Sequence, residues 1–316
     1  MGCFFTCICA NCLKINVKRI TIYENFTKNI EKSISLCYTK DTKVKINPTR
    51  EVRLLNILVC VKQVPGSSNV EVDEKTGVLK RDGVASKMNP YDLYGIELAM
   101  SLTEKYGGEV YAITMGPPQA KAIITEAICM GAKGGTVLSD RKFAGADVLA
   151  TAYTISQGIE LSGEFDLIIC GKQTTDGDTA QVGAELSEFL GIPCVSNVLS
   201  VDEVKDGKAY ITVSLDNLVV KESIKLPCLL SVDGDINSPR LPSYKVRRTV
   251  TDDMVKFLSF DDFDDKDLNH YGLGGSATQV ERIFPPEKNT VKQSITGDAT
   301  AQANGIFDVL KGRKLI

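Results

Sequence analysis

The chain of 316 residues contains 43% hydrophobic residues and has a formal net charge of −3 at pH 7. This is the composition of a globular protein that can bury a large core in one or two domains. A nearly neutral chain lacks the strongly basic surface that nucleic acids and anionic membranes select, and no apolar run reaches the roughly 20 residues that span a bilayer. We therefore expect neither nucleic acid nor membrane as a partner.

Residues 1–54 differ from the rest in composition. They carry 10 Lys and Arg against 4 Asp and Glu, and they hold five of the ten cysteines but only one of the 26 glycines. Their Lys, Asn, Ile, Thr and Cys content is typical of translated AT-rich DNA. The codons for residues 50–52 can also resemble a ribosome-binding site, from which translation would start at Leu55. We predict a basic, cysteine-containing extension that is disordered or not native, which the intact mass of the native protein would test.

Two alternatives for this extension remain open. Cysteines at positions 3, 7, 9 and 12 have spacings at which thiolates can share a tetrahedral metal ion, although no histidine or second ligand pair is near. A basic segment poor in acids is also typical of a transit peptide. The other five cysteines lie singly in apolar segments such as "LIICG", as reduced thiols of a cytoplasmic protein do.

From residue 55 onward, apolar strand patterns alternate with helical patterns. The strands are "NILVCVKQV", "EVYAITMG", "GTVLSD" and "FDLIICG", and the helices between them have 12 to 18 residues. Asn89 is placed to cap the first helix, Gly131 to end the second, and Thr76-Gly77 to turn a small hairpin. This order predicts an α/β fold over residues 55–235, with a doubly wound, mainly parallel, Rossmann-like sheet.

After Pro193 the pattern changes to alternating strands, with a turn at Asp206-Gly207, which we interpret as antiparallel strands at the sheet edge. Residues 236–316 show little apolar periodicity before a final helix that Gly305 should interrupt. We therefore expect a loop and an extended C-terminal arm that lies along another protein and does not form a core of its own.

In open parallel sheets, ligands bind beyond the carboxyl ends of the strands. The segment "GKQTTDGDTAQVG", residues 171–183, follows such a strand. Gly177 should permit a tight turn, Asp178 or Thr179 should cap the next helix, and its free N–H groups should bind a phosphate. We expect the carboxylates of Asp176 and Asp178 to point away from that phosphate and to meet neighbours. A capped helix that binds nothing remains the alternative.

Other functional motifs are absent or do not fit. The chain contains no P-loop sequence, "GLGGSA" at residues 272–277 follows no strand, and Lys266 occupies a ligand position of a potential calcium loop. His270 is the only histidine, and no activated nucleophile lies near it. Hydrolytic chemistry is therefore not expected.

Several motifs together resemble one family. The segments "NILVCVKQVP", "RDGVASKMNPYDLYGIE", "TMGPPQA", "GADVLATAYT" and "GKQTTDGDTAQVG" occur in the order and spacing of the beta subunit of electron transfer flavoproteins. The resemblance extends from about residue 56 to the C-terminus. It implies a heterodimer with an alpha subunit that carries FAD, and a beta-subunit pocket that holds either AMP or, in electron-bifurcating members, a second FAD that takes hydride from NADH.

Two segments, "TMGPPQA" and "LSDRKFAGADVLATAYT", resemble those of the bifurcating type in particular. This resemblance implies ferredoxin and a FAD-dependent dehydrogenase as partners, and the tail "SPRLPSYK" with "YGLGGSATQVERIFPPE" looks most like subunits paired with a lactate dehydrogenase. Two alternatives are a non-bifurcating subunit with structural AMP and a stand-alone adenine-nucleotide-binding protein. This chain needs no acid, base or nucleophile of its own, because the flavin performs the chemistry.

The resemblance also implies specific contact residues. Residues 61–63, 88–92 and 115–116 would border the adenosine part, residues 176–183 the pyrophosphate, and residues 141–146 the isoalloxazine and nicotinamide, with Arg141 stabilising an anionic reduced flavin. The implied nucleotide-binding residues are Val61, Lys62, Gln63, Met88, Asn89, Pro90, Asp92, Met115, Gly116, Arg141, Phe143, Ala144, Gly145, Thr175, Asp176, Gly177, Asp178, Thr179, Ala180, Gln181, Val182 and Gly183. The implied partner-binding residues are Arg240, Leu241, Pro242, Tyr244, Lys245, Arg247 and Arg248, with Leu241 as apolar anchor.

Overall fold

The computed structural model describes residues 54–66, 86–281 and 294–316. Residues 54–66 and 86–279 belong to one compact unit, and residues 280–281 and 294–316 belong to a second. The predicted extension up to residue 53 and the predicted hairpin turn at Thr76-Gly77 lie outside the described residues.

The larger unit contains all eleven strands of the described chain and five of its α-helices. The strands are β1 (Leu55–Cys60), β2 (Gln63–Pro65), β3 (Ser86–Met88), β4 (Gly108–Met115), β5 (Gly134–Leu138), β6 (Leu167–Gly171), β7 (Cys194–Lys205), β8 (Lys208–Leu215), β9 (Leu218–Lys225), β10 (Cys228–Val232) and β11 (Val255–Leu258). The helices are α1 (Pro90–Tyr106), α2 (Lys121–Met130), α3 (Val148–Glu160), α4 (Val182–Leu190) and the short α5 (Tyr244–Arg247). None of the helices in the described ranges is long and apolar enough to cross a membrane.

Nine of these strands form one sheet in the order β11-β5-β4-β1-β6-β10-β7-β8-β9. All neighbours are parallel except that β8 runs antiparallel to both β7 and β9. Ile57 and Val59 of β1 pack on the face that α1 and α2 cover, whereas Leu58 and Cys60 pack on the face of α3 and α4. The predicted doubly wound α/β fold with antiparallel edge strands is therefore confirmed.

Strand β10 is a correction to the predicted edge. Its five residues, Cys228–Val232, are all buried, and it lies between β6 and β7 in the interior of the sheet, parallel to both. Its place along the chain, directly after the antiparallel strands, predicts an edge strand. Its unbroken apolar run is instead typical of a parallel strand that is covered on both faces.

Part of the segment that we expect to form no core of its own joins the core of the larger unit. Strand β11 pairs in parallel with β5, and Phe260, Phe263 and Tyr271 are buried behind it. The ring of Phe263 stacks on Phe143 at 5.5 Å. These aromatic residues are irregularly spaced, so no helix or strand period in the sequence indicated their burial.

The second unit contains helix α6, Ala299–Gly312, which the side chain of Asp298 caps through the N–H of Ala301. The helix continues through Gly305, so the predicted interruption is wrong. A Cβ atom at Gly305 would lie 2.6 Å from Ile295, so glycine allows the preceding segment to pack closely on the helix.

Candidate functional site

The candidate site lies at the carboxyl ends of β1 and β6, where the winding of the sheet changes direction. From β1 the chain continues through α1 to β4 and β5 on one side, and it later returns through α3 to β6 on the other side of β1. Ligands of doubly wound sheets bind in the crevice at such a switch point. Lys62 follows β1, and the loop of residues 172–181 follows β6, so both border this crevice.

Asn89 joins the segments around the crevice. Its amide Nδ2 donates to Asp92 Oδ1 and to the carbonyl of Gln173, each at 2.9 Å, and its Oδ1 accepts from the N–H of Thr175 at 3.2 Å. The side chain is fully buried and makes no capping bond to α1. The predicted cap is therefore wrong: Asn89 holds the loop after β6 against the start of α1.

Asp92 is buried beside Asn89 and binds the end of β1. Its Oδ2 accepts from the backbone N–H of Lys62 at 2.7 Å. Burial raises the pKa of Asp92 to about 7, although hydrogen bonds from Asn89 and from the N–H groups of Lys62 and Gly171 partly oppose this shift. The protonation of this carboxyl therefore changes near neutral pH.

Gly171 is a site residue that the sequence did not reveal. A Cβ atom at this position would lie 2.4 Å from Asp92 Oδ1 and 2.8 Å from the backbone of Tyr91. Only glycine allows β6 to end so close to the start of α1. The sole sequence signal is a glycine at the end of the run "LIICG".

The loop after β6 differs in detail from its prediction. Helix α4 begins at Val182, and neither Asp178 nor Thr179 caps it. The φ angle is 55° at both Asp178 and Ala180, in the left-handed region, whereas the φ of Gly177 is not positive. The turn therefore depends on Asp178 and Ala180 and not on glycine freedom at residue 177.

Both acidic side chains of this loop meet neighbours, in the way that was expected. The Nζ atom of Lys62 lies 2.8 Å from Asp176 Oδ1, and the carboxylate of Asp178 accepts from the amide of Gln173. Burial would raise the pKa of Asp176, but Lys62 outweighs this effect and holds the pKa below its usual range. The orientation of both carboxylates relative to a phosphate stays a prediction.

The start of α4 offers hydrogen-bond donors. The first N–H groups of an α-helix have no partner within it, and nothing else in the described chain accepts from Val182, Gly183 or Ala184. Thr179, Ala180 and Gln181 precede them in an exposed loop. Gly183 lets α4 approach the sheet closely, because a Cβ atom there would lie 3.3 Å from Leu229. These donors and the helix dipole suit an anionic group.

The remaining predicted site residues occupy two kinds of position. Gln63 in β2, Pro90 at the start of α1, and Met115 and Gly116 at the end of β4 are partly buried, and Ala144 and Gly145 are exposed after β5. The side chains of Val61 and Met88 belong to the core beneath α1 and α2, and Phe143 belongs to the aromatic core. These three can therefore offer a ligand their backbone but not a side chain.

Arg141 follows β5 at the same edge of the sheet. It is exposed, and its guanidinium makes no hydrogen bond or ion pair with any residue that the structure describes. Below it, Asp147 caps α3 through the N–H of Ala150 and binds both the N–H and the hydroxyl of Thr278. Residues 272–278, which include the "GLGGSA" segment, form a loop that closes on the start of α3.

The predicted partner-binding residues lie apart from this cleft, beside α1 and α2. Leu241, Pro242, Tyr244, Lys245, Arg247 and Arg248 are exposed. Arg240 is the exception, because its guanidinium is paired with Glu97 and Glu104 of α1. Its expected role as a direct partner contact does not fit this arrangement.

Comparison with known proteins identifies the family. Residues 76–253 match the electron transfer flavoprotein domain. The chain is 39% identical over 263 residues to the electron transfer flavoprotein subunit beta of Thermoanaerobacterium thermosaccharolyticum, which covers 83% of this chain and 100% of that protein. It is 43% identical to the subunit beta of Clostridium acetobutylicum (74% of this chain, 89% of that protein). It is 36% identical to subunit CarD of the caffeyl-CoA reductase-Etf complex of Acetobacterium woodii (83% and 100%). The chain thus belongs to the beta subunits of the electron transfer flavoprotein family.

Proposed function

We propose that this subunit binds FAD in the cleft between β1 and β6 and takes up hydride from NADH for electron bifurcation. One electron then goes to ferredoxin, and the other goes through the flavin of an alpha subunit to a FAD-dependent dehydrogenase. The observation that carries the proposal is the cleft itself, in which the unpartnered N–H groups at the start of α4 lie beyond β6, at the switch point of the sheet. We place the complex in the cytoplasm.

The residues of the cleft fit such a cofactor. The N–H groups of Val182 and Gly183, together with the hydroxyls of Thr175 and Thr179, would hold the pyrophosphate as neutral donors. The segments of Lys62–Gln63 and Met115–Gly116 would border the adenosine. When bound, FAD supplies hydride and single-electron transfer, and the chain's part is binding, orientation and exclusion of water.

Arg141 is the candidate for tuning the flavin. Its guanidinium is exposed and has no partner in the described part of the chain, so its charge is available to an anionic ligand. We expect Arg141→Ala to shift the reduction potential of the bound flavin or to slow NADH oxidation. Unchanged values for both would remove Arg141 from the site.

The partners are proposed from the relatives and from the exposed loop around Leu241. The printed name of CarD makes it a subunit of a complex with a reductase, and we infer by analogy that this chain also serves a flavin dehydrogenase. A lactate dehydrogenase is the partner that the tail sequence favours. An exposed Leu241 beside three basic residues supports a docking role for this segment.

Structural AMP in the same cleft is the second candidate. AMP shares the adenosine and the first phosphate with FAD, so the donors of α4 would serve both. One observation favours AMP: the ring of Phe143, which was expected near the isoalloxazine, is buried in the aromatic core. A stand-alone adenine-nucleotide-binding protein is disfavoured because the family's beta subunits pair with an alpha subunit.

The experiment is to purify this chain with its alpha subunit and to count the nucleotides in each heterodimer. Two FAD molecules would support the proposal. One FAD and one AMP would refute bifurcation and establish the second candidate.

A further inference from the structure

The segment that follows β10 is held along helix α1 at several points. Asn237 donates from its side-chain amide to the carbonyl of Tyr94 at 3.0 Å. Further on, the N–H of Ser243 donates to the carbonyl of Cys129, in the last turn of α2, at 2.8 Å. Between these two points, Arg240 makes the strongest attachment.

Arg240 binds two carboxylates of α1. Its Nε donates to Glu97 Oε2 at 2.7 Å, its Nη2 donates to Glu97 Oε1 at 3.0 Å, and its backbone N–H donates to Glu97 Oε2 at 2.9 Å. Its Nη1 donates to Glu104 Oε1 at 2.6 Å. Burial would raise the pKa of Glu97, but the hydrogen bonds from Arg240 outweigh it and keep the pKa below its usual range. A planar guanidinium is suited to such bidentate pairing, and a lysine is not.

The two attachments at Arg240 and Ser243 leave only Leu241 and Pro242 between them. The side chain of Leu241 is 89% exposed, and that of Tyr244 is 77% exposed. Proline fixes its own φ and restricts the residue before it to extended conformations. The backbone at Leu241 is therefore constrained on both sides, although its side chain contacts little of this subunit.

We propose that Arg240, Glu97 and Glu104 form a clamp that presents Leu241 and Tyr244 in a fixed conformation to a partner protein. The partner would offer an apolar pocket with an acidic rim, because the exposed basic residues Lys245, Arg247 and Arg248 follow these two side chains closely along the chain. The clamp acts by ordering the loop before docking, which reduces the conformational entropy that docking costs. This inference rests on the proposed docking to a flavin dehydrogenase, and Arg240 is a positioning residue within it.

The test uses the heterodimer with its alpha subunit and a FAD-dependent lactate dehydrogenase as electron acceptor. Arg240→Lys retains the charge but loses the fork geometry, so we expect the KM for the dehydrogenase to rise about tenfold with kcat and nucleotide content unchanged. Amide hydrogen exchange in residues 236–243 should accelerate. Glu104→Gln, at a half-exposed carboxylate, should produce smaller changes in the same direction.

Two further variants separate the clamp from docking itself. Leu241→Ala should raise the KM, and the double variant Arg240→Lys/Leu241→Ala should be no worse than Leu241→Ala alone, because the clamp acts through that side chain. As a control, Lys221→Ala removes an exposed ion pair with Asp202 on the edge hairpin and should leave both measurements unchanged.

The outcomes are distinguishable. An effect of Leu241→Ala without any effect of Arg240→Lys would overturn the clamp and leave docking intact. Strictly additive effects would also overturn it. If Leu241→Ala has no effect, the proposed docking fails. If the dehydrogenase takes no electrons from the wild type, the proposed partner fails. In either case, hydrogen exchange of Arg240→Lys still decides whether the clamp orders the loop.

Discussion

The loop after β6 and the loop after β10 both rest on helix α1, but different chemistry holds each of them. The buried Asn89 attaches the first loop through hydrogen bonds at the start of the helix, and Asp92 accepts a hydrogen bond from the same Asn89 amide. Arg240 attaches the second loop through ion pairs, in which the side chain of Glu97 is 12% exposed and that of Glu104 is 58% exposed. The proposed nucleotide loop is thus fixed from within the core, and the proposed docking loop from the surface.

This difference has consequences for how each loop responds to solution conditions. Salt screens exposed charges strongly and buried groups weakly. A carboxyl with a pKa near 7 changes its charge around neutral pH, whereas the paired carboxylates beside Arg240 stay ionised there. The nucleotide loop should therefore respond to pH and the docking loop to salt.

The largest expected effect is on the pH dependence of stability through Asp92. Its pKa is about 7 in the folded chain against an ordinary value of 3.8, so folding favours the protonated form. The stability that this shift provides is fully present below pH 4 and is lost as the pH rises through 7. Relative to Asp92→Asn, which cannot titrate, the wild-type free energy of unfolding should fall by up to about 4 kcal/mol between pH 4 and pH 8.

Urea unfolding of both proteins across this pH range measures the difference. Because Asp92 is buried, added salt should change the difference little. Parallel pH profiles for the two proteins would show that the carboxyl does not titrate in this range. The expected pH response of the nucleotide loop would then be wrong.

The next effect concerns the close approach of β6 to α1. Gly171→Ala should destabilise the protein by about 1–3 kcal/mol, because the added methyl group collides with Asp92 and with the backbone of Tyr91. Nucleotide content should fall with it. Gly177→Ala is the matched control, since its φ is not positive and its Cβ would lie 3.4 Å from Thr174 Oγ1, an ordinary contact. Equal stability of both variants in urea would contradict the geometry at Gly171.

The sequence predicted the repeating part of the fold and missed the parts that depend on distant contacts. The alternation from β1 to α4 follows from local apolar periodicity, so it could be predicted although the caps of α1 and α4 could not. Strand β10 was misplaced because sequence order does not show that a strand re-enters a sheet after a hairpin. The burial of Phe263 and Tyr271 could not be read because their spacing follows no period.

The same division holds for the candidate site. The edge of the sheet and the loop after β6 were predictable from strand order and polar composition. The role of Asn89 was not, because its partners Gln173 and Thr175 lie more than 80 residues away along the chain. The pairing of Arg240 was hidden for the same reason, since a basic residue in a loop shows no local sign of its carboxylate partner.

The smallest expected effect tests the ion pair between the nucleotide loop and the residue after β1. In the pair of Lys62 with Asp176, the lysine side chain is 45% exposed, so Lys62→Gln should lower the free energy of unfolding by less than about 1 kcal/mol. Nucleotide binding should weaken more clearly, because Asp176 would lose its cation and repel a phosphate. Lys121→Gln, which removes an exposed pair with Asp252 and changes no predicted nucleotide-binding residue, should leave binding unchanged. Titration of the apo heterodimer with AMP measures this difference, and equal affinities of the two variants would show that Lys62 does not neutralise Asp176 for the ligand.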